Sequence, residues 1–380
     1  MLSNCKIVIL HNIISPYKTL LFNAIYDELN NIQVLYISET EHRREWDIDT
    51  NDLKFPYEIM FQAQADEIPV VSLSRNTWSR LNKLNPDVLI IDGYTYASSW
   101  AGLLWGRSRG KKIILWSSSN EEDHVRIFYK EAVKRFFVKR CDAYNVYGTK
   151  SREYLSKLGA KVDRISIVGN NTDNAFYFNE TTKLKDRRLD LCKEYGLSER
   201  NFLYIGRFSE EKNIIHLLDS FRRVKDYDNR WGLILIGSGS QKQEIENYIG
   251  ELKLKDVSLP GFKQKNDIPL FLAMSDVFVL PSISEPWGIV VNEAMASGLP
   301  VLVSRKCGCY PDIVKDGENG FSFDPYDKNE LFSLMRKIVD GKTDLEKMGR
   351  QSLEIIKDYT PEKAAGIISE TVMHVLNEKC

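Results

Sequence analysis

Two carboxylates, Glu285 and Glu293, frame a proline, a tryptophan and a glycine in the run Pro281-Ser282-Ile283-Ser284-Glu285-Pro286-Trp287-Gly288-Ile289-Val290-Val291-Asn292-Glu293-Ala294-Met295-Ala296-Ser297-Gly298-Leu299-Pro300. Pro286 suits the first position of a helix, and Gly298 followed by Pro300 is a stop signal, so the spacing predicts a helix over about 286–297. The amides of Trp287, Gly288 and Ile289 then have no acceptor inside the helix, and the helix dipole adds roughly half a positive charge at that end. An anion is the natural guest. The other helix residues are nearly all apolar, which makes the helix buried almost all round and Glu293 a buried carboxylate. Such a group must neutralise, pair, or hydrogen-bond an incoming molecule. Glu293 shares a helix face with Pro286 and Ile289, below the amides, and Glu285 sits on the loop at the preceding strand's end. Earlier in the chain, Phe202-Leu203-Tyr204-Ile205-Gly206-Arg207 runs from a strand into a glycine with an arginine on its lip, and Lys212 opens the next helix. Arg207 and Lys212 together offer a bidentate fork and a compact point charge, which suits a diphosphate. The alternative is surface ion pairing with Glu210 and Glu211.

The elements that must hold these residues alternate. The apolar run at 277–280 and the run at 301–303 flank the predicted helix, giving one strand-helix-strand unit. Short β-rich runs at 6–11, 33–38, 87–91, 112–116, 143–147 and 165–168 are separated by helical or turn segments, so a parallel sheet of about six strands is expected over 1–170. Ser15-Pro16-Tyr17 lies in the tight loop after the first of them, before the amphipathic stretch 18–29, as at the opening of a doubly wound sheet. No clear period is visible between Glu39 and Pro69. A second sheet is expected from Asn201, with further strands near 231–237, 257–263 and 321–323. The charge-dense stretch 179–200 reads as an interdomain connection with one helix around 189–195. Helices are expected over 328–358 and 361–378, the last crossing back to the N-terminal half. Lys130 to Arg140 is a basic helix with interleaved aromatics. It reads either as a patch for anionic lipid or a pyrophosphate-linked acceptor, or, by default, as a core face of Val133, Phe136 and Phe137 with solvated lysines.

At 380 residues the chain is too long for one ordinary core and suggests two domains of similar size. Lys+Arg 52 against Asp+Glu 53 gives a net charge of -1, which supplies no reason to expect nucleic acid as a partner. The longest apolar runs are strand-length and Met1 to Lys6 leads directly into a strand, so neither a signal peptide nor a spanning helix is expected, and the location expected is cytoplasmic. Six cysteines (Cys5, Cys141, Cys192, Cys307, Cys309, Cys380) show no C-x-x-C spacing and read as reduced, structural thiols.

The run 281–300 resembles glycosyltransferase family 4. Glu285 and Glu293 form the E-x7-E pattern of retaining glycosyltransferases with the two-domain GT-B fold, and the family shows a Gly-Arg followed by a Lys where this chain has Gly206-Arg207 and Lys212. The resemblance implies an α/β protein of two Rossmann-like doubly wound parallel sheets facing across a crevice. Residues 1–170, with a helix at about 361–380, form the acceptor side, and 171–360 the nucleotide-sugar side. It implies that Glu293 holds the ribose, that Glu285 lies beside the transferred sugar, that the amides of Trp287, Gly288 and Ile289 cradle the diphosphate, and that Arg207 and Lys212 stabilise it as it leaves. Gly261 and Phe262, in the loop 260–263, line the nucleobase by the same resemblance. Ser15-Pro16 stands where many relatives carry Gly-Gly near the donor phosphate and resembles a Ser-Pro-Tyr subgroup. Ser117 and Ser118 stand where many members place a histidine near the sugar, with His124 in the following turn as a further candidate. Residues 316–323 resemble the family's closing hairpin. Asp47-Ile48-Asp49 spells the metal motif of the other large glycosyltransferase fold but sits in a loop, so it reads as solvated carboxylates and no essential metal or other cofactor is expected. The activity the resemblance implies is retaining, metal-independent transfer of a hexose from a UDP- or GDP-linked sugar to a glycan or polyprenyl-pyrophosphate-linked acceptor in polysaccharide biosynthesis, with no nucleic acid partner and with peripheral contact with an anionic membrane at the inner face of the cell membrane. The competing readings are a sugar-nucleotide epimerase or phosphorylase of the same fold, and a non-catalytic nucleotide-sugar or glycan binder.

Overall fold

The computed structural model describes residues 5–41, 50–122 and 127–377. The chain divides into two compact units, Met1–Asn171 with Pro361–Cys380, and Thr172–Thr360. Each is built on one parallel sheet, as the alternating apolar runs predict.

In the first unit the strands are β1 (Ile7–His11), β2 (Ile32–Ser38), β3 (Tyr57–Phe61), β4 (Val88–Asp92), β5 (Lys112–Ser117), β6 (Ala143–Val146) and β7 (Ile165–Ile167), in the order β3-β2-β1-β4-β5-β6-β7. Every residue of β1 is buried, because helices cover both faces and a continuous apolar run is what such a strand needs. The sheet has one strand more than the six expected. β3 lies in the stretch 39–69 and pairs in parallel with β2, Tyr36 opposite Ile59. It is an edge strand with Met60 alone fully buried, so its sequence carries little alternation. The helix Pro361–Asn377 packs on the helix Pro16–Leu29, and Thr371 Oγ1 donates to Ser166 Oγ beside β7 at 3.0 Å. The helix Phe128–Val138 buries Phe137 and Val138 but leaves Val133 and Phe136 exposed. The expected core face is thereby corrected: two of its three members point to solvent.

β1 and β4 are neighbours from which the chain departs to opposite sides of the sheet, the arrangement that leaves a crevice at the carboxyl ends. His11 ends β1 and Asp92 ends β4, and Nε2 of the buried imidazole lies 3.2 Å from Asp92 Oδ2. Lys18, in the first turns of the following helix, sends its Nζ 3.9 Å over the Trp116 ring and 4.8 Å from the Tyr147 ring. That nitrogen is buried and makes no hydrogen bond among the described residues. Burial lowers the Lys18 pKa to about 8 against the opposing pull of Asp92. Burial likewise lowers that of His11, which is therefore neutral at pH 7 despite Asp92 beside it.

In the second unit the strands are β8 (Arg200–Ile205), β9 (Trp231–Ile236), β10 (Val257–Gly261), β11 (Val277–Leu280), β12 (Val301–Ser304) and β13 (Gly320–Phe323), in the order β10-β9-β8-β11-β12-β13. Pro260 is accommodated because β10 is an edge strand whose register shifts between Ser258 and Gly261. Two expectations are corrected. The stretch read as a connection begins within a twelve-residue helix, Asn174–Lys185, that belongs to the unit: Thr181 Oγ1 donates to Ser297 Oγ at 3.0 Å. Residues 320–323 form no hairpin, since β13 pairs in parallel with β12, Leu302 opposite Phe321.

The buried ammonium makes a pH signature. Its pKa of about 8 in the folded chain against 10.5 in the free side chain means that the unfolded chain binds more protons between those values, so stability rises with pH across the window and is lost as pH falls through 8. Measured by urea denaturation, wild-type stability relative to Lys18→Met should climb by up to about 1.4 kcal/mol per pH unit from pH 8 to 10. A flat difference would show that Lys18 is not a buried cation.

Candidate functional site

β8 and β11 form the second unit's switch point, and the predicted cations and carboxylates lie on the two loops that leave it. After β8 the chain passes Gly206 and Arg207, makes one 3-10 turn over Glu210–Lys212, and turns at Asn213 with φ 56° before the helix Ile214–Lys225. After β11 it runs through Ser282 to Glu285. Lys212 Nζ donates to Glu285 Oε2, with side-chain exposures of 9% and 16%. The backbone joins the same loops, Ile283 N–H donating to Glu211 O at 2.9 Å. Arg207 instead pairs with Glu211 at 2.8 Å and stands 46% exposed. Of the two cations, Lys212 is thus the one held against Glu285. Beneath them Tyr204 Oη donates to Arg207 O at 2.8 Å; burial and the Glu285 carboxylate push this phenol well above its usual range, so it remains a donor.

The helix expected over 286–297 is shorter. It spans Ile289–Ala296, with Gly288 at its N-cap in the left-handed region (φ 95°, ψ 64°). Pro286 is therefore outside the helix, and the amide of Trp287 precedes it; the amides at the helix start are those of Ile289 and Val290, while Val291 N–H donates to Gly288 O at 2.9 Å. The physical reason lies downstream. Gly308 N–H donates to Glu285 O at 2.8 Å and Cys309 N–H to Trp287 O at 3.1 Å, which ties 285–287 to the loop after β12 and keeps them out of the helix. A Cβ on Gly308 would fall 1.8 Å from Pro286 O, so only glycine permits this approach. Trp287 turns inward, buried, and its Nε1 donates to Asn292 Oδ1 at 2.8 Å. Cys307 and Cys309 are reduced thiols, both fully buried on either side of Gly308. The C-G-C spacing of small residues was the one available signal for a close backbone contact.

Glu293 lies in the second turn of the helix and is 1% exposed, as the apolar surround predicts. Ser282 Oγ is also fully buried and has no hydrogen-bond partner among the described residues. Gly261 ends β10 with φ 79° and its carbonyl accepts from Gly237 N–H at 3.1 Å, leaving Phe262 exposed. The remaining candidates belong to the first unit. Ser15 caps the helix Pro16–Leu29, its Oγ accepting from Lys18 N–H, and Pro16 takes the first helical position. Ser117 ends β5, buried, with its Oγ accepting from Ser119 N–H at 3.2 Å, and Ser118 O accepts from Ser151 Oγ at 3.1 Å. His124 and Asp47-Ile48-Asp49 lie outside the described residues. Among the described residues, no three His, Cys, Asp or Glu side chains gather into a metal-binding group.

Residues 194–354 match the family model described as Glycosyl transferases group 1. Over that stretch the chain is similar to group 1 glycosyltransferases, and the stretch contains Arg207, Lys212, Glu285, Gly288 and Glu293, the residues gathered around the second switch point. The chain is 27% identical over 182 residues to an alpha-D-kanosaminyltransferase of Streptomyces kanamyceticus, covering 47% of each chain. It is 29% identical over 210 residues to an N-acetyl-alpha-D-glucosaminyl L-malate synthase of Bacillus anthracis, covering 54% of this chain and 52% of that one. These alignments span about half the length of the curated relatives. In overall fold the chain is similar to HepE of Anabaena, solved in complex with UDP, with a TM-score of 0.75 at 17% identity, covering 97% of this chain and 100% of that one. The fold is GT-B, as expected.

The geometry of the candidate site hangs on Gly308. Gly308→Ala should force 285–287 away from the loop after β12 and cost about 1–3 kcal/mol, the range for overpacking a filled interior. The urea midpoint of the variant measures this; an unchanged midpoint would show that the two loops are not in contact.

Proposed function

We propose that the chain is a retaining glycosyltransferase that moves a hexose from a UDP- or GDP-linked sugar to a glycan or a polyprenyl-pyrophosphate-linked glycan in polysaccharide biosynthesis. One observation carries the reading: Lys212 and Glu285 meet across the switch point of the second sheet, next to the start of the helix that carries the buried Glu293. The solved complex of Anabaena HepE with UDP supports a nucleoside diphosphate as the donor's leaving half. On this reading Thr172–Thr360 takes the nucleotide-sugar, and the unit of Met1–Asn171 with Pro361–Cys380 takes the acceptor. A lipid-borne acceptor places the enzyme at the inner face of the cell membrane.

The difficult step is departure of the diphosphate, so binding energy must be concentrated on charge that grows on phosphate oxygens. We assign that task to Lys212, to Arg207 after release from Glu211, and to the amides of Gly288, Ile289 and Val290; the amide of Trp287 contributes less than the sequence suggested, since it precedes the helix. No metal is assigned. Lys212 exchanges Glu285 for the diphosphate, a stronger partner by charge. Glu285 then accepts hydrogen bonds from the sugar hydroxyls and favours the oxocarbenium-like centre, while Glu293 accepts from the ribose hydroxyls. The C1–O bond to the diphosphate breaks as the acceptor oxygen bonds to C1 from the same face, and the acceptor's proton passes to the departing phosphate oxygen. Gly261 and Phe262 border the base, Ser15 and Pro16 the phosphates, and Ser117 and Ser118 the sugar or acceptor.

Thermal denaturation against UDP, GDP, ADP and CMP, without added metal, tests the reading. A selective rise with one nucleoside diphosphate is expected, corresponding to about 2.7 kcal/mol at a concentration one hundred times Kd. Glu293→Gln and Lys212→Ala should each lower donor hydrolysis by about 10²–10³-fold while circular dichroism stays unchanged. Full turnover in either variant would refute the site, and the absence of a shift with every nucleotide would favour a non-catalytic glycan binder.

A further inference from the structure

The helix Phe128–Val138 shows solvent a face that a protein surface rarely leaves bare. Phe128, Tyr129, Val133 and Phe136 are 91%, 65%, 52% and 44% exposed. Tyr129, Val133 and Phe136 follow one another at i, i+4 and i+7, so they form one stripe. Trp100 stacks on Phe136 at 6.3 Å, and Leu104, one turn further along that neighbouring helix and 51% exposed, widens the patch.

The charges on this face have one sign. Lys130, Arg135, Lys139 and Arg140 are exposed among the rings, and the Arg140 guanidinium lies 3.4 Å over the Phe136 ring. The helix's one acid, Glu131, is only partly exposed and is engaged by Tyr154 Oη at 2.8 Å and Lys134 Nζ at 2.9 Å. Rings and cations with Glu131 as the helix's one carboxylate, itself engaged, match the boundary of an anionic bilayer, where the apolar body of an aromatic enters the headgroup layer and each cation meets a lipid phosphate. A second copy of the chain fits poorly. A two-fold interface sets a patch against itself, and here that would bring cations against cations. Among the described residues no helix is long and apolar enough to cross a membrane, so contact through this face would be peripheral.

We propose that the face formed by Phe128, Tyr129, Val133 and Phe136 with Lys130, Arg135, Lys139 and Arg140 docks the protein on an anionic lipid surface. The inference rests on the transferase reading only for the lipid-borne acceptor. Vesicle binding is read without catalysis, so it fails or stands independently of nucleotide binding.

The test is co-flotation of the full chain with vesicles of phosphatidylcholine, and of phosphatidylcholine mixed with phosphatidylglycerol. The mixed vesicles should carry the protein and the neutral ones should leave it behind. Phe128→Ser should lower the partition coefficient about tenfold, the effect of withdrawing one large ring, and Arg135→Glu at least about fivefold. Lys255→Glu, an exposed cation in the other unit, should lower it by less than either. Both test positions are exposed, so thermal melts of the variants should match the wild type. Absence of binding to the mixed vesicles, or binding unchanged by Phe128→Ser and Arg135→Glu, overturns the proposal. So does a wild-type dimer in analytical ultracentrifugation that Phe128→Ser converts to monomer, since the occupant would then be a second copy.

Discussion

A doubly wound parallel sheet has one place where adjacent strands send their chains to opposite sides, and there no loop covers the carboxyl ends. Both sheets meet this constraint with a contact between side chains. In the second, Lys212 from the loop after β8 reaches Glu285 after β11, and the backbone bond from Ile283 to Glu211 sews the same two loops. In the first, His11 at the end of β1 lies against Asp92 at the end of β4, with Lys18 packed on Trp116 nearby. The second contact differs in kind: burial keeps the imidazole neutral, whereas the buried Lys212 and the slightly exposed Glu285 form an ion pair. A charged pair can exchange partners for an arriving anion; a neutral contact below a carboxylate mainly orients it.

Position of the strands was legible because burial on both faces demands unbroken apolar runs, and β1, β4, β9, β11 and β12 supply them. The partners of those strands were legible too, since helix-sized segments separate them and such connections favour parallel pairing. β3 escaped because an edge strand needs few apolar residues. The extent of the helix after β11 escaped for a different reason. Pro286 favours a helix start locally, but the backbone bonds from Gly308 and Cys309 hold 285–287 outside the helix, and those partners lie more than a strand away in sequence. Local propensity lost to a tertiary contact.

The same limit explains the helix Phe128–Val138. Its spacing shows that aromatics and cations share the segment, but not which side meets the sheet. Phe137 and Val138 take the interior, and the stripe of Tyr129, Val133 and Phe136 is left outside. An amphipathic pattern with two apolar sides is ambiguous until the neighbours are placed, and the neighbours here come from other parts of the chain, Trp100 and Tyr154. At the candidate site, residue types were readable while pairings were not: Arg207 and Lys212 look equivalent in sequence, yet Glu211 takes the first and Glu285 the second.

That division of partners bears on how a donor would be held under the proposed reading. Lys212 and Glu285 satisfy each other while the site has no guest, and a diphosphate that draws Lys212 away leaves Glu285 with a charge in a half-buried place. Separating such a pair is costly unless the carboxylate finds new donors. Sugar hydroxyls next to the diphosphate are donors of the right kind, whereas a bare nucleotide offers none at that position. Under that reading the pair would couple recognition of the two halves of a sugar nucleotide: the anion would be taken up at the carboxylate's expense, and the sugar would restore it. Gly308 sets this coupling indirectly, since its bond to the Glu285 carbonyl fixes the backbone from which that carboxylate projects. Under the proposed reading, a site organised in this way would hold the whole sugar nucleotide more tightly than the diphosphate alone, by geometry already present in the fold of one unit.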